Sequence, residues 1–302
     1  MVDRPAILLS TFNGERFVSA LLDSLVAQVD IQPVVYWRDD GSTDSTPQIV
    51  RRYRTSIDLR EVPVFGRLGP SASFLFLLRN AAPHHVSFHF ADQDDLWDKG
   101  KVAHAHRIVT QIEVPVLFHC RQQFIDSKGL FLGLSKQSGR GSFSNALCEN
   151  IAVGCTVALN HSAAQLVAKG NPTHSIMHDW WAYLVVSAVG RIEYDSSPWI
   201  QYRQHSQNAV GGNPGFVLRS MRRLKRVTTR SGGGGQISDQ VSDFLNIHGH
   251  LLSDKQRSRV ERLLSGRTSI PQRLKNFIAP PATRQGLVDQ LLLRGLLLTN
   301  RL

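Results

Sequence analysis

Short apolar runs alternate with helical patterns along the first 95 residues. Four of these runs predict buried strands, at residues 6–9, 34–37, 61–64 and 86–90. Between them, apolar residues recur at helical spacing and predict three helices, over residues 17–25, 46–53 and 74–78. Strands that alternate with helices in this way predict an α/β fold with a mostly parallel, doubly wound sheet.

Beyond residue 114 the predicted elements become more varied. Short strands are predicted at residues 116–119, 123–126, 130–132, 192–194 and 199–203. Residues 151–160 (IAVGCTVALN) predict one longer strand, in which Gly154 marks a close approach of another group to the backbone. Helices are predicted around residues 145–148 and at 178–189. A carboxyl-terminal extension is predicted to contain amphipathic helices at residues 251–264 and 287–298.

Charge divides the chain into a neutral part and a basic part. Residues 1–212 contain 19 Lys and Arg and 19 Asp and Glu, whereas residues 213–302 contain 16 and 5. The whole formal net charge of +11 therefore lies in the last 90 residues. We predict a catalytic domain at residues 1–212. A basic, mainly helical region at 213–302 would follow it, with a flexible Gly-rich break at 231–235.

The composition excludes several classes of protein. The chain has 302 residues, of which 42% are hydrophobic and 20% charged, as is usual for soluble domains. Its apolar stretches are far shorter than the roughly 20 residues of a membrane-spanning helix, and no signal-peptide pattern is expected. Three cysteines without zinc-site spacing argue against a disulfide scaffold or a structural zinc. We expect a cytoplasmic protein.

Two acidic clusters begin where a predicted strand ends, at the edge of a parallel sheet where ligands bind. One contains Asp92, Asp94 and Asp95 in the sequence ADQDD. Carboxylate oxygens are the ligands that Mg²⁺ and Mn²⁺ prefer, and such an ion commonly also binds a nucleotide diphosphate. The alternative is a solvated acidic turn, which is the more frequent use of such a sequence.

The other cluster, DDGSTD, ends the predicted strand at 34–37. Gly41 permits a turn, and Asp44 is placed to cap the next helix, so turn formation alone explains the cluster. The functional alternative is that Asp40 accepts a hydrogen bond from the base or ribose of a nucleotide.

Taken together and in order, these motifs resemble the family 2 inverting glycosyltransferases, which have the GT-A fold. The resemblance extends over about residues 5–212. It rests on STFNGERF, DDGSTDST, ADQDDLWDKGKV, and a late HDWW followed by YRQHSQN. The combination is most similar to a rhamnosyltransferase-like branch of bacterial enzymes that build surface polysaccharides.

The resemblance implies a role for each matching residue. Nucleotide binding is implied for Thr11, Asn13, Asp40 and Asp92. Metal binding is implied for Asp94, which forms the family's D-x-D pair with Asp92, and for His205. The general base is Asp179, and Gly154 and Trp180 lie on the acceptor side.

The implied reaction needs few groups. A divalent ion, Mn²⁺ or Mg²⁺, stabilises the leaving nucleoside diphosphate, and one carboxylate removes the proton of the acceptor hydroxyl. The implied donor is a dTDP- or UDP-linked sugar, with rhamnose favoured by the branch, and the acceptor is a saccharide or a lipid-linked saccharide. The alternative function is a metal-dependent nucleotidyl- or phosphoryl-transfer enzyme. Nucleic-acid binding is not expected, because residues 1–212 are neutral.

A few residues carry two interpretations. His178 stands where the family often has Glu, and its role is open. Arg67, in a Gly-Arg-Leu-Gly turn that replaces the family's Asn-x-Gly, contacts a phosphate or lies in solvent. Trp180 stacks on a sugar or packs in the core, and Cys155 is interpreted as a small packed residue.

The basic region predicts contact with an anionic membrane. Apolar residues recur every three positions among the basic residues of 219–230, a pattern typical of helices that lie in the membrane interface; they are Leu218, Met221, Leu224 and Val227. We therefore expect residues 213–302 to tether the enzyme peripherally to the cytoplasmic face of the membrane. The alternative is a helical region that packs on the catalytic domain or forms an oligomer.

Overall fold

The structure is a computed structural model that describes residues 4–63, 66–205 and 235–302. Its strands are β1 (Ala6–Thr11), β2 (Val34–Asp39), β3 (Asp58–Glu61), β4 (Ser87–Asp92), β5 (Leu96–Trp97), β6 (Val116–Ile125), β7 (Phe131–Leu134), β8 (Ala158–Asn160) and β9 (Arg191–Arg203). Its helices are α1 (Val18–Val26), α2 (Thr46–Arg52), α3 (Pro70–Ala81), α4 (Lys101–Thr110), α5 (Phe143–Ala146), α6 (His161–Ala168), α7 (His178–Val189), α8 (Gln236–His248), α9 (Asp254–Ser265), α10 (Ile270–Ile278) and α11 (Leu287–Leu298).

The strands form one sheet in the order β3-β2-β1-β4-β8-β6-β9-β5, with β7 paired to β6. The first four strands are parallel, so their carboxyl ends meet at one edge, and Thr11 lies opposite Asp39 while Ser10 lies opposite Asp92. Beyond β4 the sheet is mixed, because β8 runs antiparallel to both β4 and β6. The predicted α/β class is confirmed, and both acidic clusters lie at the same sheet edge.

Several predicted strand segments differ from the structure, and those at 116–119 and 123–126 are parts of one strand, β6. Residues 151–160 are not one strand: Gly154–Thr156 form a turn of 3₁₀ helix, and only Ala158–Asn160 pair in the sheet. The backbone N–H of Gly154 donates to a side chain of α7, as described below, and is therefore unavailable to a neighbouring strand. The third strand also begins earlier than predicted, at Asp58, and residues 64 and 65 lie outside the described residues.

Helices pack on both faces of the sheet and bury alternate strand residues. One face buries Leu8 and Phe90 beneath α3, α6 and α7, and the other buries Leu9 and Trp37 beneath α1 and α4. The predicted strands at 192–194 and 199–203 are parts of one long strand, β9. Strand β9 runs parallel to β6 with register shifts near Arg121.

The described part of the carboxyl-terminal region belongs to the same core as the predicted catalytic domain. Phe244 of α8 is fully buried, and its ring centroid lies 6.3 Å from that of Trp181 on α7. Helix α11 has the predicted bounds, whereas α9 begins at Asp254, where Ser253 forms a capping box with Gln256. Residues 235–302 therefore pack on the catalytic domain, as one of the two sequence alternatives expected.

Other predictions for this region lie outside the described residues. These are the domain boundary at 212, the basic stretch 219–230, the apolar residues Leu218, Met221, Leu224 and Val227, and positions 231–234 of the glycine run. Across the described ranges no helix is both long enough and apolar enough to cross a lipid bilayer.

Candidate active site

The loop after β1 is joined to the DDGSTD turn by side-chain hydrogen bonds. The Thr11 hydroxyl donates to Asp39 Oδ1 over 2.8 Å and accepts from Trp37 Nε1 over 3.0 Å. Asn13 Oδ1 accepts from the backbone N–H of Thr43 over 2.8 Å. Thr11 and Asn13 thus shape this loop, and their contact with a nucleotide stays a prediction.

The carboxylate of Asp40 is buried and organises the turn before α3. Arg38 Nη1 lies 2.5 Å from Asp40 Oδ1, and both side chains are almost fully buried. The backbone N–H groups of Leu68 and Gly69 donate to the two carboxylate oxygens over 2.7 and 2.8 Å. Asp40 therefore fixes residues 66–69 against the end of β2, and its predicted contact with a base is an additional role that these bonds do not test.

Gln93 is a site residue that the sequence did not single out. Its amide exchanges two hydrogen bonds of 2.9 Å with the backbone N–H and carbonyl of Phe12, which join the ADQDD turn to the loop after β1. A Cβ at Gly14 would lie 2.2 Å from Gln93 Oε1, so a larger residue there would displace the Gln93 amide from Phe12. The exposed Arg67 places its guanidinium 3.8 Å from the centroid of the Phe12 ring.

The end of β9 contacts the ADQDD turn. His205 Nε2 lies 2.7 Å from Asp94 Oδ2, so the two residues predicted at the metal ion are adjacent. The backbone N–H of Arg203 donates to Asp95 Oδ1 over 2.9 Å, and Arg203 Nε donates to the carbonyl of Asp94 over 2.8 Å. The strand that delivers His205 is thereby fixed to the acidic turn.

The acidic residues of this turn disfavour one another's ionisation. Burial, followed by the charges of Asp94 and Asp179, raises the pKa of Asp92 to about 7. Burial and the charges of Asp94 and Asp92 also raise the pKa of Asp95 well above its usual range. A bound cation would relieve this repulsion, and carboxylate oxygens with one imidazole suit Mn²⁺ or Mg²⁺.

Cys155 completes a cluster beside this turn. Its Sγ and one carboxylate oxygen each of Asp92 and Asp95 lie within 4.8 Å of one another. Burial raises the pKa of the Cys155 thiol well above its usual range, so the thiol stays protonated and is a weak metal ligand. The interpretation of Cys155 as a small packed residue agrees with its complete burial.

Asp179 lies in the first turn of α7. The backbone N–H of Gly154 donates to Asp179 Oδ2 over 2.8 Å, and that of Trp180 donates to Oδ1 over 2.7 Å. Burial raises the pKa of Asp179 to about 6, although these hydrogen bonds act in the opposite direction. The Gly154–Cys155 dipeptide therefore joins Asp179 to the ADQDD turn.

His178 is a buried aromatic neighbour of Asp179. Its ring stacks on Phe74 with centroids 4.1 Å apart and meets Phe90 edge-on at 4.6 Å. Burial lowers its pKa to about 3, so the ring is neutral, and within the described residues neither ring nitrogen has a hydrogen-bond partner. A Cβ at Gly154 would lie 2.8 Å from His178 Nε2, which confirms the predicted close approach at this glycine.

Trp180 packs rather than projecting into solvent. Its indole N–H donates to the carbonyl of Ala146 over 2.7 Å, and its ring packs against the main core. This placement favours the packing interpretation of Trp180, and stacking on a sugar stays a prediction.

Comparison with known proteins gives a family match for the part of the chain that holds both acidic clusters. Residues 6–140 match the family model described as Glycosyl transferase family 2. The chain carries a family 2 glycosyltransferase domain. A relative, the dTDP-rhamnosyl transferase RfbG of Shigella flexneri, is 26% identical to this chain over 227 residues. That alignment covers 71% of this chain and 77% of the relative.

Solved structures share the fold of this chain. The crystal structure of TarS residues 1–349 from S. aureus in complex with UDP-GlcNAc has a TM-score of 0.58 at 17% identity, covering 99% of this chain and 79% of that one. The mannosyltransferase PcManGT from Pyrobaculum calidifontis, in complex with GDP-Man and Mn²⁺, has a TM-score of 0.50 at 18% identity. That match covers 98% of this chain and 85% of the mannosyltransferase. At this identity the likeness shows the fold, and it agrees with the predicted GT-A architecture.

Proposed function

We propose that this chain is an inverting glycosyltransferase in which Asp179 removes a proton from the acceptor hydroxyl. The observation that carries the proposal is the pairing of one carboxylate on α7 with an acidic turn at the end of β4. The Gly154–Cys155 dipeptide connects them. A base on one side of the anomeric carbon and a diphosphate leaving group on the other give in-line displacement with inversion.

The surroundings of Asp179 suit a general base. A pKa of about 6 leaves its carboxylate ionised at neutral pH and makes it a stronger base than an exposed aspartate. The N–H groups of Gly154 and Trp180 hold both carboxylate oxygens, so the side chain is oriented before the acceptor binds. The neutral ring of His178 packs alongside without adding charge.

Asp94, His205 and Asp92 would hold a divalent ion, Mn²⁺ or Mg²⁺, together with the diphosphate of the donor. Their oxygen and nitrogen donors support this assignment, as do the burial and the neighbouring negative charges that raise the pKa of Asp92. When bound, such an ion supplies the positive charge that stabilises a leaving diphosphate. The chain's own contribution is the contact of β9 with the ADQDD turn, which holds His205 in place.

The donor that we propose is a dTDP- or UDP-linked sugar, with dTDP-rhamnose first. The relative named as a dTDP-rhamnosyl transferase supports rhamnose, and the TarS complex with UDP-GlcNAc supports the general class of donor. Thr11, Asn13, Asp40 and Asp92 are the residues that we assign to the nucleotide. The acceptor would be a saccharide or lipid-linked saccharide of a bacterial surface polysaccharide, approaching from the side of Gly154 and Trp180, in the cytoplasm.

The alternative is a metal-dependent nucleotidyl- or phosphoryl-transfer enzyme, since such enzymes also use carboxylates at strand ends. The family 2 match and the named transferases favour sugar transfer. The two reactions differ in products, because nucleotidyl transfer releases pyrophosphate and sugar transfer releases a nucleoside diphosphate.

The donor assignment is tested by calorimetry with a panel of nucleotide sugars, with and without Mn²⁺. We expect dTDP-rhamnose or a UDP-sugar to bind more tightly when Mn²⁺ is present. GDP-mannose is the comparison nucleotide sugar in the panel. Equal binding of every nucleotide sugar, with no dependence on Mn²⁺, would contradict the assignment.

A further inference from the structure

Helix α10 exposes an apolar face. Its outward side chains recur at positions i, i+4, i+7 and i+8, which is the spacing of one helix face; they are Ile270, Leu274, Phe277 and Ile278. Ile278 alone is 72% exposed. Soluble proteins rarely leave so many large apolar side chains of one helix in water without using them in an interface.

Helix α11 packs against α10 and also exposes apolar side chains. One of its faces joins the protein core through Leu293, Leu296 and Leu297. The opposite face carries Leu287 and Leu291, which are 88% and 68% exposed. The exposed side chains of the two helices, which we call the α10–α11 face, are Ile270, Leu274, Phe277, Ile278, Leu287, Val288, Leu291 and Leu298.

The segment that carries the α10–α11 face is rich in positive charge. Residues 262–302 contain seven Lys and Arg and one Asp. A cavity of about 420 Å³ opens beside α10, lined by Arg262, Gln272, Lys275, Ile278 and Ala279. Two cationic side chains next to an exposed Ile278 match the chemistry of an anionic lipid, whose phosphate and acyl chains need both kinds of contact.

We propose that the α10–α11 face binds the surface of an anionic membrane. The apolar side chains would enter the boundary between headgroups and acyl chains, while Lys275, Arg262 and Arg294 would meet the headgroups. A second copy of the chain is a poorer occupant, because it would bring another strongly basic surface against this one. The face lies within the predicted tether at 213–302 but is distinct from its basic stretch at 219–230, which lies outside the described residues.

The α10–α11 face connects to the acceptor side of the candidate site. Gln285, just before α11, accepts from the backbone N–H of Gly139 over 2.9 Å, and its own N–H donates to Glu149 over 2.9 Å. The next residue, Asn150, donates a side-chain hydrogen bond to Asp179. Membrane binding would thus hold this side of the enzyme near the bilayer, where a lipid-linked acceptor resides. That consequence rests on the proposed function, whereas the membrane contact itself does not.

The test is flotation of the full-length protein with vesicles of phosphatidylcholine, with and without phosphatidylglycerol. The variant combines Ile278→Gln, Leu287→Gln and Leu291→Gln, which are exposed side chains whose replacement leaves the core intact. The matched control combines Leu130→Gln, Phe131→Gln and Leu132→Gln, exposed apolar residues at and beside β7. Circular dichroism checks that both fold.

We expect the unmodified protein and the control to float with anionic vesicles, and the α10–α11 variant to lose at least about tenfold in vesicle affinity. Full retention of binding by the variant would overturn the proposal and assign binding to another segment, as would equal loss in the control. No flotation of the unmodified protein, together with an oligomer in light scattering that the variant dissociates, would instead make the face an interface between copies. Because donor binding is measured separately, failure here leaves the proposed function intact.

Discussion

The side chain of Asp179 combines two properties that a general base needs. It is fixed by hydrogen bonds to both oxygens, and burial raises its pKa to about 6. A raised pKa means that the protonated, inactive form accumulates at a higher pH than for an exposed aspartate. The direction of the pH effect on the reaction follows from this.

We predict that kcat/KM falls as the pH drops through about 6 and reaches a plateau above it. The reason is that the carboxylate of Asp179 takes up a proton near this pH and no longer accepts one from the acceptor. Initial rates measured at constant ionic strength across this range test the prediction. Activity that is unchanged, or that rises, as the pH drops through 6 would show that another group is the base.

At the acidic turn, we predict that Asp94→Ala removes most of the affinity for Mn²⁺. Asp94 contacts His205, and its loss leaves the ion with fewer protein ligands in a site that already disfavours free carboxylates. Calorimetric titration with Mn²⁺ measures the effect. The exposed Glu113→Ala serves as the control for loss of one negative charge. Equal Mn²⁺ affinity in the two variants would remove Asp94 from the metal site.

Contacts between side chains were predictable only where the family resemblance supplied them. Asp94 and His205 are 111 positions apart, and no pattern in the sequence joins them. Gln93 and Arg38 were missed because their partners are known only from the folded backbone. Gln93 bonds the loop after β1, and Arg38 bonds the buried carboxylate of Asp40.

Among the elements, β1, β2 and β4 were predictable because each is a short apolar run buried on both faces of the sheet, whereas the bounds of the more polar and exposed β3 were not. Residues 151–160 were not, since an apolar run does not distinguish a strand from a turn whose N–H bonds elsewhere. Helix α10 was not predicted, although its apolar residues recur at helical spacing. The sequences of β8 and β9 also gave no sign that these strands pair antiparallel with β4 and β5, respectively.

The turn at Gly154 gives a prediction for this element. Gly154→Ala would place a Cβ 2.8 Å from His178 Nε2 and 3.5 Å from Asp179 Oδ2, in a fully buried place. We expect a loss of about 1–3 kcal/mol in the free energy of unfolding, typical of overpacking. Urea denaturation followed by circular dichroism measures it.

Gly295→Ala in α11 is the matched control, because nothing lies within 4 Å of the added Cβ. A helical alanine there should leave the stability equal or raise it by about 0.5–1 kcal/mol. Similar destabilisation by both substitutions would mean that the close approach at Gly154 carries no special cost.

For the whole molecule, the main core joins the catalytic domain to the carboxyl-terminal helices. The sequence predicted a separate region from its charge, and charge reports on the surface rather than on the buried contacts of Phe244 and Val241. The helical character of the region was predictable from its apolar spacing, but its attachment to α7 was not.

We predict that Phe244→Ala lowers the free energy of unfolding by about 3–5 kcal/mol, because it leaves a cavity against Trp181 and Phe143. Phe131→Ala, at an exposed position of β7, should change it by less than about 0.5 kcal/mol. Denaturant unfolding followed by the tryptophan fluorescence of the catalytic domain measures both changes in the free energy of unfolding. A small effect of Phe244→Ala would mean that α8 folds independently of the catalytic domain.

The central claim is sugar transfer with Asp179 as the base, and product analysis tests it most directly. Phosphorus NMR would follow dTDP-rhamnose or UDP-GlcNAc incubated with Mn²⁺ and a bacterial lipid extract as acceptor source, for the unmodified protein and for Asp179→Asn. The account predicts free nucleoside diphosphate, an unchanged donor affinity in the variant, and a kcat reduced by roughly 10²–10⁴. Release of pyrophosphate, or near-normal turnover by Asp179→Asn, would contradict it.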